Sequence, residues 1–366
     1  MRILHTAESY WPTVCGVQEA LQRVSEGLAA RGHQVIVATT YHPQRDFQVL
    51  NGVTVEQFDV QGKWTRGFRG EVRNYQCFVR SFDGDVMMNY AAQQWSADLV
   101  FPLLDELACA KVFVPCGYSA LHNWKWWLYF RRLPFALRKY DQIVYLSDNY
   151  QDKRFGDRYG FRHYSVIGNG ASDDEFLQPR TGFRDEYRIS TSRMFLCVSN
   201  YGPGKNQEMV LGAYQQATVL DSTLVFIGTE FNDYAERLQS LVRGEGGAVR
   251  FLEHVARGQV VAAYHEADLF LFGSAVECFP LVIVEAMASR TPFISTDVGC
   301  VRDLPGGVVA SSVEEMAHAI QGLADKGPEW QRLAEAGRQA WEQRYRWGKI
   351  VDQYEQLYSD LLKSRR

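Results

Sequence analysis

Two neighbouring stretches decide how this chain is to be read: Ala267-Asp268-Leu269-Phe270-Leu271-Phe272-Gly273-Ser274, and then Glu277-Cys278-Phe279-Pro280-Leu281-Val282-Ile283-Val284-Glu285-Ala286-Met287-Ala288. The first is a short unbroken apolar run ending in Gly-Ser, which predicts a strand buried on both faces and then a turn. In the second, Pro280 suits the first turn of a helix, where no backbone N–H is needed, and apolar residues follow it. The free amides of Leu281 and Val282 then point outward with the positive end of the helix dipole, an arrangement that favours a phosphate group. Glu277 precedes the helix, within reach of a sugar beside such phosphates. Glu285 lies one to two turns inside it, where a carboxylate can accept from two ribose hydroxyls.

Outward from this unit the same alternation of apolar runs and helical patterns continues in both directions. Strands are predicted at Phe195 to Val198, Leu224 to Ile227, Val249 to Leu252, Leu269 to Phe272 and Phe293 to Ser295, with helices at Glu208 to Ala217, Gln259 to Glu266 and Leu281 to Ser289. An earlier series has strands at Ile3 to Thr6, Val35 to Ala38, Val53 to Phe58, Val86 to Met88, Val112 to Val114 and Ile143 to Leu146. Its first helix, Val17 to Arg31, carries Val17, Ala20, Leu21, Val24 and Leu28 at three- and four-residue steps, and Gly32 stops it. Between the two series, past Val166-Ile167-Gly168-Asn169-Gly170, the pattern breaks into a polar stretch with Pro179 and Gly182. After Gly307 the chain reads as helical to its end.

The predicted fold class is therefore α/β: two Rossmann-like domains with parallel sheets, facing each other across a cleft where strand carboxyl ends receive ligands. The boundaries are 1–170 and 171–345, with 346–366 a helix crossing back to the first domain. A length of 366 residues suits two such domains. With 39 Lys and Arg against 43 Asp and Glu, no global basic field recruits nucleic acid, so any anion site is local. The seven cysteines show no Cys-x-x-Cys spacing, and an odd number resists a full disulfide framework, so a reducing cytoplasm is expected. No apolar run approaches a membrane span or resembles a signal sequence.

Four segments, in order, carry a resemblance to a known family. They are Pro12-Thr13-Val14-Cys15-Gly16-Val17 with Arg31-Gly32-His33-Gln34-Val35; Val166-Ile167-Gly168-Asn169-Gly170-Ala171-Ser172; Val198-Ser199-Asn200 with Lys205-Asn206; and Glu277 through Ala288. Together they resemble the retaining glycosyltransferases of family 4 (glycosyl transferases group 1), whose fold is GT-B.

That resemblance implies transfer of a sugar from a UDP- or GDP-linked donor to an acceptor hydroxyl with the anomeric configuration kept. Glu277 and Lys205 would be catalytic. Gly16, Asn200, Lys205, Val255, Phe279, Pro280, Leu281, Val282 and Glu285 would bind the donor, and Tyr118 and His122 the acceptor. No cofactor and no metal are expected. The first domain would take a glycan or lipid-linked acceptor in the assembly of a bacterial surface polysaccharide or glycolipid. The segment His122-Asn123-Trp124-Lys125-Trp126-Trp127-Leu128-Tyr129-Phe130-Arg131-Arg132 suits either peripheral contact with the inner membrane surface or a half-buried helix with its cations in water. Two departures stand out. Ser199-Asn200-Tyr201-Gly202-Pro203-Gly204 lacks the arginine that relatives place there, and Cys116 stands where they often have His or Arg.

Other motifs fail on their details. Gly202-Pro203-Gly204-Lys205 lacks the earlier glycine and the following Ser or Thr of a P-loop, Asp83-Gly84-Asp85 reads first as a turn, and no Gly-x-Gly-x-x-Gly follows the first strand. A sugar-nucleotide epimerase or phosphorylase on the same fold, and a catalytically silent nucleotide- or glycan-binding protein, are the alternatives.

Overall fold

The computed structural model describes residues 1–243 and 248–365, and the chain divides into two compact units, Met1–Asn169 with Trp347–Arg366, and Gly170–Arg346. In the first unit the strands are β1 (Arg2–Thr6), β2 (Gln34–Thr40), β3 (Val49–Leu50), β4 (Val53–Phe58), β5 (Val60–Lys63), β6 (Gly67–Gly70), β7 (Val86–Tyr90), β8 (Ala110–Val114), β9 (Gln142–Tyr145) and β10 (Tyr164–Val166). Eight of them form one sheet in the order β10-β9-β8-β7-β1-β2-β4-β3, parallel except for β3, while β5 and β6 make a separate antiparallel hairpin. The second unit has β11 (Arg193–Val198), β12 (Ser222–Gly228), β13 (Ala248–Glu253), β14 (Leu269–Phe272), β15 (Phe293–Ser295) and β16 (Gly307–Val309), all parallel, in the order β13-β12-β11-β14-β15-β16. Both are Rossmann-like sheets. Their central strands are buried on both faces, which is why β14 reads as a continuous apolar run and β1 and β7 show no alternation of buried and exposed residues.

The helix Gly16–Ala30 buries Ala20, Leu21, Val24 and Leu28 along one stripe and ends where Gly32 takes a φ of 84°. The terminal helix Trp347–Ser364 packs on it, and a Cβ on Gly27 would lie 2.5 Å from Val351, so only glycine admits this approach. Polar contacts fix the register. Arg31 donates to Glu355 at 2.8 Å, His33 Nε2 lies 2.7 Å from Glu355, and the buried His5 imidazole sits between Ser25 and Tyr358. Burial pushes the His5 pKa down to about 3, so the ring is neutral.

One expectation is corrected here. The chain does not turn helical directly after Gly307, because Gly307–Val309 first pairs with β15 as an edge strand. Gly307 lies against the Phe293 ring, which would be 2.2 Å from a Cβ, so this glycine is a close packing contact within the sheet. None of the helices is long and apolar enough to cross a membrane, among the described residues.

Candidate functional site

In the second sheet β11 is flanked by β12 on one side and β14 on the other, so the strand order reverses between β11 and β14. Loops leaving the carboxyl ends of the two strands diverge at such a point and leave a crevice that suits a ligand. Lys205 ends the 3-10 turn Pro203–Lys205 after β11, and Glu277 follows β14. Across the switch point Lys205 Nζ donates to Glu277 Oε1 at 2.5 Å, and Ser274 Oγ donates to the same oxygen at 2.8 Å. The two loops are also tied by backbone: Ala275 N–H donates to the Gly204 carbonyl at 2.9 Å. Gly273 allows this closeness, since its Cβ would stand 2.6 Å from the Asn206 carbonyl oxygen.

The helix that follows runs Leu281–Ala288. Pro280 is its N-cap, with φ −72° and ψ 118°, rather than a residue of the first turn as expected. The physical reason is that its carbonyl, which accepts from Ile283 N–H at 3.2 Å, starts the helical ladder, while its missing N–H leaves nothing to satisfy. Phe279 is buried against Tyr345, ring centroids 5.8 Å apart, so its side chain serves packing and only its backbone is offered to a ligand. Gly299, at φ 60°, braces the loop from behind. A Cβ there would meet the Cys278 carbonyl oxygen at 2.4 Å, and Cys300 N–H donates to that same carbonyl.

Glu285, buried in the helix, pairs with Arg257, whose helix follows β13. Arg257 NH2 is 2.5 Å from Glu285 Oε1, and the guanidinium also grips Glu175 with two bonds, at 3.1 and 2.6 Å. Its far side lies over the Phe176 ring, 5.9 Å from the centroid. Burial pulls the Arg257 pKa down, but the charge of Glu285 and the hydrogen bond and charge of Glu175 outweigh it and raise the pKa, so the cation is permanent. Asn200 is exposed after β11, accepts through its side-chain oxygen from the Thr229 hydroxyl, and its carbonyl accepts from Gln207 Nε2 at 3.0 Å. Val255 is half-buried in the loop after β13.

The carboxyl ends of four adjacent strands, β13, β12, β11 and β14, thus carry Val255 and Arg257, Thr229, Asn200 and Lys205, and Ser274 and Glu277 respectively. Arg257, Glu175, Ser274 and Thr229 were missed from sequence. Arg257 had one usable signal, a cation two residues past Val255 at the start of a predicted helical stretch.

In the first unit Gly16 begins its helix, exposed, behind an extended Cys15 that makes no side-chain cap. Tyr118 is corrected from acceptor contact to core: its ring is wholly buried, packed on Phe130 and Phe155 at 5.3 and 5.2 Å. Phe130 and Phe155 belong to the two neighbouring helices, which close over the ring. His122 is exposed and lines a cavity with Arg131 and Arg154. Cys116 has φ 55°, and burial pushes its thiol pKa up, so it is no thiolate nucleophile. Left-handed Ala91 and Gln93 follow β7 in the same unit, and burial raises the nearby Asp98 to about 7 while the Tyr129 hydroxyl donates to it at 2.9 Å. Asp83 and Asp85 both turn to Arg2, one by ion pair and one to its backbone N–H. Among the described residues no group of three or more His, Cys, Asp or Glu is arranged to hold a metal.

Comparison with known proteins gives a consistent result. A family model described as glycosyl transferases group 1 matches residues 180–340. The glycogen synthase of Mycobacterium tuberculosis is 30% identical over 98% of this chain and 94% of its own. An N-acetyl-alpha-D-glucosaminyl L-malate synthase from Bacillus anthracis is also 30% identical, over 51% of this chain and about half, 51%, of that protein. Among solved structures, Anabaena HepE in complex with UDP-glucose superimposes with a TM-score of 0.79 at 18% identity, covering 98% of this chain and 100% of that one.

Proposed function

Because the chain belongs to the glycosyl transferases group 1 family and has its GT-B fold, we propose that it is a retaining glycosyltransferase acting on a nucleotide-diphosphate sugar. The contact between Lys205 and Glu277 across the strand-order reversal carries this reading. A lysine ammonium has three donors on a flexible stem, so it can turn one toward a diphosphate oxygen while another stays on Glu277. Negative charge grows on the departing diphosphate as the bond to the sugar breaks. Lys205 and the amides at the start of the Leu281–Ala288 helix meet that charge without a metal ion. A charge-assisted hydrogen bond contributes roughly 1.5 to 3 kcal/mol and a helix terminus roughly 0.3 to 2, together between about one and four decades of rate if realised only in the transition state. Glu285 accepts from the ribose hydroxyls, Val255 offers its backbone to the base, and Glu277, once its lysine turns, lies beside the donor sugar. The first unit takes the acceptor, a glycan or lipid-linked glycan in the assembly of a bacterial surface polysaccharide or glycolipid.

Because HepE binds UDP-glucose, uridine donors are the first to try. Sugar transfer or slow donor hydrolysis is assayed with UDP-, GDP- and ADP-sugars, with Lys205→Ala and Glu285→Ala as controls. No turnover and no thermal shift with any nucleotide would overturn the reading. A product with inverted anomeric coupling in its NMR spectrum would remove retention from it, and loss of turnover in EDTA would remove metal independence.

A further inference from the structure

The first unit carries a basic cavity with an apolar rim. From Leu121 to Tyr140 the sequence has five cations, Lys125, Arg131, Arg132, Arg138 and Lys139, and no carboxylate, in a protein whose net charge is −4. The helix Trp127–Leu137 buries Tyr129, Phe130, Leu133 and Leu137 and turns its other face to solvent. On that face, and just before it, Trp124 is 76% exposed, Trp127 58% and Leu128 40%, large apolar groups that a solvated helix has no reason to display together. Beside this helix the Gln151–Arg158 helix projects Arg154 and Arg158, four residues apart and on one side.

Between the two helices lies a cavity of about 640 Å³, with Phe130 and Phe155 among its lining and His122, Arg131, Arg154 and Arg158 around it. Trp127 lines it too, with the Arg131 guanidinium 5.7 Å from its ring centroid. Some arginines of the unit are neutralised, Arg31 by Asp352 and Glu355 and Arg80 by Glu106. None of the three cavity arginines has a carboxylate partner among the described residues. Asp157, on the helix that carries Arg154 and Arg158, is held by Lys153 at 2.6 Å. Like charges at a spacing of four repel, so the arrangement is relieved by an anion between them.

We propose that this cavity seats the phosphate of an anionic phospholipid headgroup, and that Trp124, Trp127 and Leu128 enter the bilayer interface around it, docking the first unit on an anionic membrane. The chemistry favours a lipid over a soluble phosphate. Arginine forks match phosphate oxygens, while tryptophans settle at headgroup depth with apolar body and polar N–H both satisfied. A soluble phosphomonoester would explain the arginines but leave the apolar rim in water. The inference stands apart from the donor reading, because it rests on residues of the first unit alone.

The test is flotation of the full chain with phosphatidylcholine vesicles and with vesicles holding about 30% phosphatidylglycerol. Binding to the anionic vesicles is expected to be about tenfold or more tighter and to weaken with added salt. The double variant Arg154→Glu, Arg158→Glu is expected to lose about tenfold or more of the anionic preference. Trp124→Ala with Trp127→Ala lowers binding to both vesicle types. A melting midpoint without ligand equal to that of the unchanged protein shows that each variant is folded, whatever the outcome of the donor reading. Equal binding to both vesicle types, or an unaltered double arginine variant, overturns the proposal. So does protection of the cavity by inorganic phosphate with no vesicle binding.

Discussion

The two glutamates of the Glu277–Glu285 stretch are held in different ways. Glu277 shares one oxygen between a lysine and a serine, a neutral pair in which Lys205 keeps about a third of its side chain, 35%, in solvent. Glu285 shares a planar guanidinium with a second carboxylate, so Arg257, Glu175 and Glu285 together carry one excess negative charge. The first arrangement is easily rearranged by an incoming anion, because an ammonium is a point charge that swings between acceptors. The second is locked by a fork and repels anions, but its surplus carboxylate oxygens accept from hydroxyl groups. Along one row of strand ends, the neutral end suits phosphates and the acidic end suits sugar hydroxyls.

The strongest way to break that contrast is Lys205→Ala. If Lys205 meets charge that develops on the departing diphosphate, kcat falls by roughly 10² to 10³ with donor KM changed far less. Lys205→Arg tests the point-charge argument. A fork cannot turn between Glu277 and a phosphate as an ammonium does, so the expected rescue is small, and full rescue would show that only charge matters. Next in size is Glu285→Ala. Loss of its hydroxyl contacts raises donor KM about tenfold or more, with kcat held nearer the original. An equal fall in kcat instead would move Glu285 from donor binding into the chemistry.

Arg257 comes third. Arg257→Lys keeps the charge but replaces the planar fork, which makes three bonds to Glu175 and Glu285, with a flexible ammonium that holds them less firmly, so its donor KM is expected to rise severalfold toward that of Arg257→Ala as Glu285 loses its fixed position. The Arg257 side chain is 46% exposed, so the accompanying stability loss, read from denaturant midpoints, is about 1 kcal/mol or less. A lysine variant with the original KM would show that orientation by the fork is unimportant.

The parts of this site that could be read in advance, and those that could not, divide along a physical line. Strands β14 and β15 are found at the bounds expected because strands buried on both faces leave a short apolar run, whereas β4, also at its expected bounds, carries Thr54, Glu56 and Gln57 and is buried only in part. Glu277 and Glu285 lie in a local pattern of strand, turn and helix, where spacing along the chain carries the information, whereas Lys205 was singled out only by the resemblance to the family. Arg257 and Glu175 meet across 82 residues, and nothing in either segment alone announces the partner. Tyr118 failed the other way, since a tyrosine after a strand end is the same residue in sequence whether helices cover it or leave it open. The edge strand Gly307–Val309 was missed because three residues are too short to show a strand pattern beside the helical stretch that follows.

The smallest expected effect belongs to Ser274, and it sharpens the comparison most. Its hydroxyl has one proton and two acceptors in reach, Glu277 Oε1 at 2.8 Å and the Gly204 carbonyl at 3.2 Å. While Glu277 is ionised the charged acceptor wins, being closer and stronger. When Lys205 turns toward a diphosphate, the serine is left as the group that keeps Glu277 oriented. Ser274→Ala alone therefore costs about fivefold in kcat/KM, the worth of one modest hydrogen bond. In the Lys205→Ala background the same change is expected to cost more, because the serine is then a remaining partner of that oxygen. A double-mutant cycle reads this directly. Effects that simply multiply would mean that the two donors act independently on Glu277, whereas a coupling of about 0.5 kcal/mol or more would mean that they compensate for each other at one oxygen.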